Sequence, residues 1–301
     1  MSLLVTGSIG LDSVETPFGT RQDVIGGSAI YFSYAASFFT PVRLVGVVGE
    51  DAPQQLFQVF QGRPVDTTGL EVRKGSKTFR WRASYVKDMN EAQTLETQLN
   101  VLAERAPTIP AGFLDSDFVF LANTHPALQQ QMLGSLKQVR FAVADTMNLW
   151  IANERDELLK LLKRVDMLVL NDAEARQLTG KTNLVAAARQ VLSLGPKYVV
   201  VKKGEHGCLL CTGDEVFALP AFPTDRVVDP TGAGDSFAGG MMGYLAARHS
   251  VTPDAVRRAL AYGTCVASFT ISDFSLGGLQ ATTREQVDRR LDELRRATVF
   301  E

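Results

Sequence analysis

The stretch Asp229-Pro230-Thr231-Gly232-Ala233-Gly234-Asp235-Ser236 places two glycines directly before a carboxylate that starts an apolar helical pattern. Gly232 and Gly234 tolerate a positive φ and carry no Cβ, so the loop can bring bare backbone amides against a ligand. Such amides hold a phosphate that gains negative charge, and a nearby carboxylate can take the proton of an attacking hydroxyl. The pattern therefore indicates phosphoryl transfer to an alcohol. On spacing alone, Asp235 also fits a plain helix N-cap after a glycine turn.

The segment after Asp235 predicts a helix, because its apolar residues recur at helical spacing. These residues are Phe237, Met241, Tyr244 and Leu245. Glycines at positions 239, 240 and 243 lie inside the same segment, and each costs ~1 kcal/mol relative to alanine in an exposed helix interior. We therefore expect this helix to pack very closely against a neighbour or a ligand.

A second candidate site follows the apolar run 167–170, which continues into Asn171-Asp172-Ala173-Glu174. Asn171 and Glu174 are three positions apart, so on a helix they share one face at the C-terminal end of a strand. Oxygen ligands of this kind can hold Mg²⁺ through water. The same residues also fit a capping box, with Asn171 as N-cap and Glu174 at the third helical position. Taken alone, the spacing favours the cap.

These candidate residues lie in a chain whose short apolar strands alternate with helical patterns. The predicted strands are 3–6, 42–48, 118–121, 141–145, 167–170 and 198–202, with a late hairpin of 208–211 and 215–219. The predicted helices are 28–39, 126–138, 152–164, 183–194, 253–269 and 284–298. Nearly continuous apolar strands are typical of a parallel sheet covered on both faces. The sequence thus predicts an α/β fold with a doubly wound, mostly parallel sheet, whose ligands lie beyond the C-terminal strand ends.

One region, between residues 69 and 99, is predicted to form strands without a long apolar helix between them. Residues alternate along 77–85, so Phe79, Trp81 and Tyr85 point to one side and polar residues to the other. Together with a hairpin near 12–23, this predicts a small β-sheet lid, formed by about 12–25 and 69–100, on a single domain spanning 1–301. The aromatic side chains also fit packing of the lid onto the body or onto a second subunit, which would favour a homodimer.

Composition excludes several functions. The 301 residues carry a formal charge of −2 with no long basic run, which argues against nucleic acid as the main partner. Apolar stretches are strand-sized, shorter than the ~20 residues of a membrane helix, and the first residues lack the basic start of a signal peptide.

Three cysteines, an odd and low count, indicate a reducing cytoplasm. Cys208 and Cys211 have zinc-like spacing, but they lie in a strand, where positions three apart face opposite sides.

Taken together, the motifs resemble those of the ribokinase-like carbohydrate kinases, the family of the B-type phosphofructokinases and adenosine kinase. Residues 229–242 are similar to the C-terminal signature of that family, and Asn171-x-x-Glu174 resembles its magnesium and phosphate element. Gly26-Gly27 resembles the diglycine at the lid hinge. Residues 46–51 resemble the strand and turn that follow this diglycine in the family, and residues 65–70 resemble the stretch that leads into the lid.

The resemblance implies an ATP-dependent kinase that phosphorylates a hydroxyl of a small sugar or nucleoside, with Asp235 as the general base. The amides of Gly232, Ala233 and Gly234 would form an anion hole. The implied acceptor contacts are Asp12, Gly26, Gly27, Tyr31 and Asn123. The implied nucleotide contacts are Asn171, Lys202, Gly204, Gly207, Thr231, Thr264 and Ser268. Asn171 and Glu174 would hold Mg²⁺ through water, and relatives often bind a monovalent cation such as K⁺ near Asp229.

The acceptor itself stays open at this level. Gly10 and Tyr31 stand where ribokinase carries asparagine, which argues against free ribose; Tyr31 fits either a stacking contact or ordinary core. A phosphorylated sugar would need cations at the mouth of the site. Four are available, although they also fit a solvated lid face: Lys77, Arg80, Arg82 and Lys87. A nucleoside would need aromatic side chains to stack on its base. A non-catalytic binding regulator is disfavoured, because Asp235, Asn171 and Glu174 are all present.

Overall fold

The computed structural model describes residues 2–299, which form thirteen strands in two sheets. In chain order the strands are β1 (Leu3–Thr6), β2 (Gly10–Thr16), β3 (Gly19–Gly26), β4 (Val42–Gly49), β5 (Val65–Arg73), β6 (Phe79–Ser84), β7 (Gln93–Gln98), β8 (Phe118–Leu121), β9 (Phe141–Asp145), β10 (Met167–Asn171), β11 (Tyr198–Lys202), β12 (Cys208–Cys211) and β13 (Val216–Leu219). The larger sheet has nine strands in the order β13-β12-β11-β10-β9-β8-β1-β4-β5. Within it, β12 pairs antiparallel with both β11 and β13, and the other neighbouring strands pair parallel.

The α-helices are α1 (Ser28–Ala36), α2 (Gln54–Gln58), α3 (Pro126–Ser135), α4 (Asn148–Asn153), α5 (Arg155–Leu162), α6 (Asp172–Thr179), α7 (Leu184–Leu192), α8 (Ala233–Arg248), α9 (Pro253–Thr270), α10 (Gly277–Gln280) and α11 (Arg284–Thr298). Alternate residues of β1 enter two separate cores: Leu3 and Val5 pack with residues of α1, α8, α9 and α11, whereas Leu4 packs with residues of α3, α5, α6 and α7. Helices therefore cover both faces of the sheet, and the predicted doubly wound α/β fold is confirmed.

The glycines of α8 let it pack very closely against its neighbours, as the sequence predicts. A Cβ at Gly239 would overlap the carbonyl oxygen of Phe32 on α1, and one at Gly243 would lie 2.9 Å from Ala36 Cα. Since a real Cβ does not approach a backbone atom so closely, any larger residue would push α1 and α8 apart. This contact fixes the start of α8, where Asp235 lies.

The smaller sheet, which we call the lid, has the strand order β3-β2-β6-β7. Its first two strands lie within residues 10–26, and its last two within 79–98. Residues 69–73, which the sequence assigned to the lid, instead continue β5 and pair with β4 at the edge of the larger sheet. The lid therefore begins later than expected, after the turn at Gly75.

Some helix boundaries also differ from the sequence expectation. The single helix predicted for 152–164 is divided into α4 and α5 at Glu154, whose φ of −128° and ψ of 35° are not helical. Helix α1 ends at Ala36 rather than at residue 39, and the short helix α2 was not expected. Among residues 2–299, no helix has the length and apolar content required to cross a bilayer.

Candidate active site

A cavity of about 820 Å³ lies between the lid and the C-terminal ends of the parallel strands. Neighbouring strands β9, β10 and β11 end in Asp145, Asn171 and Lys202, and Asn171 lies opposite Lys202 in the register. Parallel strands present their C-terminal ends at one edge, so these polar side chains meet at the cavity floor. Every residue predicted for the site lines this cavity, with the exception of Gly26.

The glycine loop adopts a left-handed conformation at Gly232, with φ 74° and ψ 2° directly before α8. The ring of Tyr31 lies against this residue so closely that a Cβ would overlap it, and Tyr31 itself is 1% exposed. Asp229 fixes the other end of the loop, because its Oδ1 accepts from the amide of Thr231 at 2.9 Å. Tyr31 thus supports the loop from below in addition to lining the cavity.

The predicted anion hole is only partly free. The Ala233 amide donates to the carbonyl of Pro230 at 3.1 Å, so this group is already engaged within the turn. The ammonium of Lys202 lies beside the next residue, since a Cβ on Gly234 would be 2.9 Å from Lys202 Nζ. A helix N-terminus and a lysine together favour an anion at this point.

Asp235 lies in the first turn of α8 and lines the cavity. Burial raises its pKa to about 7, and the negative charge of Asp145 adds to the effect, whereas Lys202 opposes it. A carboxyl with a pKa near neutrality is suited to accept a proton from a substrate hydroxyl. The structure thus places the predicted base in a cavity where burial brings its pKa towards neutrality.

Asp145 was not anticipated as a site residue. Its carboxylate is 4% exposed and lies 3.6 Å from Lys202 Nζ. Burial raises its pKa, and Lys202 partly offsets that rise. The available signal was its position as the last residue of an apolar strand, the same position that drew attention to Asn171.

Asn171 and Glu174 form the capping box of α6. Asn171 Oδ1 accepts from the Glu174 amide at 2.7 Å, and Glu174 Oε2 accepts from the Asn171 amide at 2.7 Å. The capping interpretation is correct, but it does not exhaust the role of Glu174. Its side chain is only 8% exposed and lines the cavity, where burial raises its pKa.

The charges around Glu174 fit a bound cation. Asp145, Glu174 and Asp235 all interact electrostatically with Lys202, which leaves three buried carboxyls facing one ammonium. Residues 2–299 contain no group of three or more His, Cys, Asp or Glu side chains arranged to enclose a metal ion directly. Oxygen ligands can hold Mg²⁺ through water, because Mg²⁺ retains several of its waters in proteins.

The acceptor end of the cavity contains Asp12 on β2, which is 3% exposed. Its pKa is raised to about 7 by burial and by the charges of Asp229 and Asp235. Gly26 does not line the cavity, but a Cβ there would overlap Asp12 Oδ2, so this glycine makes room for the carboxylate. Gly27, with a φ of 97°, precedes α1 and lines the cavity beside it.

Aromatic side chains form the walls at this end. Phe79, Trp81 and Tyr85 of the lid line the cavity, as their alternation predicts, and Trp150 of α4 lines it too. Asn123, a predicted acceptor contact, accepts from Trp150 Nε1 at 2.8 Å. Its amide oxygen therefore holds the tryptophan in place, an interaction that sequence spacing could not reveal.

The predicted nucleotide residues line the opposite end. Gly204 and Gly207 belong to the turn after β11, whereas Thr264 and Ser268 lie on α9. The Ser268 hydroxyl donates to the Cys265 carbonyl at 2.6 Å and accepts from Arg290 at 3.0 Å. The Ser268 hydroxyl therefore lines this wall of the cavity while both of these hydrogen bonds join it to other parts of the protein.

Comparison with known proteins identifies relatives along most of the chain. The family profile described as pfkB family carbohydrate kinase matches residues 16–277. A cytidine kinase from Thermococcus kodakarensis is 32% identical over 254 residues, which cover 82% of this chain and 90% of that protein. An aminoimidazole riboside kinase from Salmonella typhimurium is 26% identical over 238 residues, which cover 73% and 74% of the two chains.

Solved structures share the fold at lower sequence identity. The Burkholderia thailandensis nucleoside kinase in complex with inosine has a TM-score of 0.80 at 20% identity, with 97% of this chain and 98% of that chain covered. The Arabidopsis thaliana ribokinase complexed with ribose and ATP has a TM-score of 0.78 at 20% identity, with 96% and 98% covered. Both comparisons show that this chain shares its fold with these two kinases over almost its whole length.

Proposed function

The chain belongs to the pfkB family of carbohydrate kinases, and within that family we propose that it transfers the γ-phosphate of ATP to a hydroxyl of a nucleoside. It is a phosphotransferase that acts on a small sugar or nucleoside, as its relatives are. One observation carries the narrower choice. The acceptor end of the cavity has aromatic walls and no lysine or arginine among the described residues that line it.

Aromatic walls favour a nucleoside because each nucleobase offers a flat face. Trp81 pairs in register with Asp12 on the neighbouring strand, and both line the cavity. A ribose held by the Asp12 carboxylate would therefore bring its base towards Trp81 and the other lid aromatics. Stacking of one base on an aromatic side chain contributes about 1–3 kcal/mol.

The charge distribution argues against a phosphorylated sugar. Lys202 is the single lysine or arginine among the described residues that line the cavity, and it lies at the glycine loop rather than near Asp12. None of the four lid cations lines the cavity. Arg80, for example, donates to Asp23 at 2.6 Å and to Asp51 at 3.2 Å on the outer side.

Relatives include sugar kinases as well as nucleoside kinases, and two that match most of the chain are named for nucleosides. The curated relative that matches 82% of this chain is a cytidine kinase, and a structure that matches 97% of it is a nucleoside kinase bound to inosine. A purine and a pyrimidine nucleoside thus both occur among proteins of this architecture. These names support the class of acceptor and leave the base open.

In the proposed reaction, Asp235 accepts the proton of the acceptor hydroxyl as its oxygen attacks the γ-phosphorus of ATP. The new O–P bond forms while the bond from that phosphorus to the bridging oxygen breaks, and ADP leaves with the bond electrons. General base catalysis of this kind contributes about 10²–10⁴-fold. The free amides of the glycine loop and the Lys202 ammonium stabilise the charge on the transferring group.

Cations complete the proposal. Glu174 and Asn171 would hold Mg²⁺ through water, where it would neutralise phosphate charge, and Asp145 lies close enough to share that role. A monovalent cation such as K⁺ would lie near Asp229, whose buried carboxylate accepts hydrogen bonds from the backbone amides of Thr231 and Ser275. Activity in KCl compared with tetramethylammonium chloride tests the second cation.

A coupled ADP-release assay with Mg–ATP tests the acceptor. The panel contains cytidine, uridine, adenosine, inosine, ribose, fructose and fructose 6-phosphate. We expect at least one nucleoside to give a kcat/KM that exceeds every sugar and sugar phosphate by tenfold or more. A preference for fructose 6-phosphate would overturn the nucleoside proposal while leaving the kinase assignment intact.

Two further proposals concern the protein as a whole. Lid strands β3 and β7 are open edges among the described residues, and Phe18, in the turn that leads into β3, is 54% exposed, which supports a homodimer formed through the lid. Light scattering of the wild type and of Phe18→Ser would show whether a dimer forms there.

The three cysteines are reduced and buried, which supports a cytoplasmic location.

A further inference from the structure

The tip of the lid, residues 86–92, reaches across the cavity to the turn that follows β11. Asn90 Nδ2 donates to Glu205 Oε1 at 2.9 Å, and the Glu205 amide donates to Asn90 Oδ1 at 3.0 Å. The two residues are 115 positions apart in the chain. We call this reciprocal pair of hydrogen bonds the clasp. It joins the lid over the acceptor to the turn assigned to the nucleotide.

Both sides of the clasp are shaped for the contact. The Asn90 amide donates to Asp88 Oδ1 at 2.7 Å, which folds the lid tip into a tight turn. On the other side, Gly204 has a φ of 53°, and a Cβ there would overlap Asn90 Oδ1. Gly204 leaves room for the Asn90 amide, and its positive φ gives the turn a shape that favours glycine. Together with the two reciprocal hydrogen bonds, this argues for a built contact.

We propose that the clasp couples the two substrate sites, with Asn90 as a positioning residue. Nucleotide binding orders the turn 203–207, and the ordered turn then holds the lid tip closed over the acceptor. The proposal rests on the nucleotide role of that turn given above. By thermodynamic reciprocity, an acceptor that closes the lid tightens nucleotide binding by the same factor. Because both partners are exposed, we expect a factor of about five- to tenfold, at the low end for coupled sites.

Hydrogen–deuterium exchange tests the first half of the proposal without any acceptor. Mg–AMP-PNP is added to the full-length wild type, to Asn90→Ala and to Glu91→Ala, the control at an exposed neighbour that does not line the cavity. In the wild type and the control, we expect slower exchange in both the turn 203–207 and the lid tip. In Asn90→Ala, only the turn should slow. Equal protection of the lid tip in Asn90→Ala would overturn the proposal.

Calorimetry tests the coupling itself. The dissociation constant of Mg–AMP-PNP is measured with and without saturating cytidine. We expect cytidine to tighten the analogue about five- to tenfold in the wild type and in Glu91→Ala, and less than twofold in Asn90→Ala. Unchanged coupling in Asn90→Ala would contradict the proposal. If the wild type does not bind cytidine, the measurement uses the nucleoside that the acceptor panel prefers. If the wild type binds no nucleoside of that panel, the nucleoside assignment is at fault, and the exchange experiment still decides the clasp.

A rescue experiment separates a direct contact from general damage to the lid. Asn90→Asp places a carboxylate against that of Glu205, so lid-tip protection and coupling should be lost. Adding Glu205→Gln restores a donor to this pair, because the glutamine amide can donate to the introduced carboxylate. We expect the double variant to recover at least half of the wild-type protection. Failure of this rescue, with normal melting temperatures, would show that the clasp does not carry the coupling.

Discussion

Strands β1, β8 and β9 of the nine-stranded sheet are buried along their whole length, whereas every residue of lid strand β7 is exposed. Asp145, Asn171 and Lys202 are the last residues of three neighbouring strands of this sheet. Close packing of α1 against α8 fixes the position of Asp235. The lid is less buried as a whole: most of β2 and Ala83 are buried, but β7 and much of β3 face solvent, and the clasp joins the lid tip to the body. Under the proposed function, we expect the body to set the chemistry, which needs fixed geometry, and the lid to select the acceptor, which needs motion.

The largest expected effect lies in the body. Asp235→Asn should lower kcat by about 10²–10⁴-fold, because the amide cannot accept the proton. The affinity for Mg–AMP-PNP and the melting temperature should stay close to those of the wild type. Steady-state kinetics with calorimetry checks both. Near-normal turnover would remove Asp235 from the mechanism and, with it, the assignment of the chemistry to the body.

The pH profile of the wild type gives an independent view of the same residue. Burial and Asp145 raise the pKa of Asp235 to about 7, so the base is protonated and inactive below that pH. We expect kcat/KM for ATP, measured with saturating acceptor, to fall about tenfold per pH unit below neutrality. A profile that stays flat down to pH 5 would contradict this assignment.

The lid should affect binding instead of turnover. Trp81→Ala should raise KM for the preferred nucleoside about tenfold or more, because one stacking contact is lost. The value of kcat should change less than threefold. Trp81→Phe, which keeps a ring, serves as the matched control and should retain most of the affinity. A large fall in kcat with unchanged KM would show that the lid takes part in the chemistry.

Glu174→Gln probes the cation at the body edge. Glutamine keeps an oxygen that can accept from the Asn171 amide, so the cap remains while the charge is removed. We expect the Mg²⁺ concentration for half-maximal activity to rise about tenfold. The melting temperature should change little. An unchanged Mg²⁺ titration would indicate that Glu174 acts only as a cap.

The smallest expected effect concerns stability. The pKa of Asp12 is raised from 3.8 to about 7, so the folded protein binds this proton more tightly than the unfolded chain. The resulting stabilisation is complete below pH 4 and is lost as the pH rises through 7. Asp12→Asn should therefore raise the melting temperature by about 2–4 °C at pH 8 and by less near pH 5. An equal gain at both values would contradict the assignment.

The fold was largely predictable from sequence, because apolar strands leave few alternatives. Strands β1, β8, β9, β11 and β12 have the predicted bounds. Residues 69–73 form a strand as predicted, but their assignment to the lid was wrong, because they pair with β4 in the larger sheet. A local sequence pattern does not show which strands pair. The break at Glu154 likewise depends on how α4 and α5 pack, while the helical periodicity continues across it.

The site was predictable wherever a motif is contiguous in the chain. The glycine loop and Asn171-x-x-Glu174 are of that kind, and the structure places both in the cavity. Two contacts join segments that are distant in the chain: Tyr31 packs against Gly232, and Trp150 donates a hydrogen bond to Asn123. The spacing of residues in the sequence could not predict either contact. Asp145 could have been found from its strand-end position. The roles of these residues remain predictions until the variants above are measured.

The burial of all three cysteines has a practical consequence for studying the lid. Burial raises the pKa of Cys208 and Cys265 to about 12 and also raises that of Cys211. Since the thiolate is the reactive form, these side chains should resist maleimide dyes at neutral pH. A Glu91→Cys variant would then accept a single fluorophore at the moving end of the lid. Its emission in a stopped-flow instrument would follow opening and closing in real time, directly in the working enzyme.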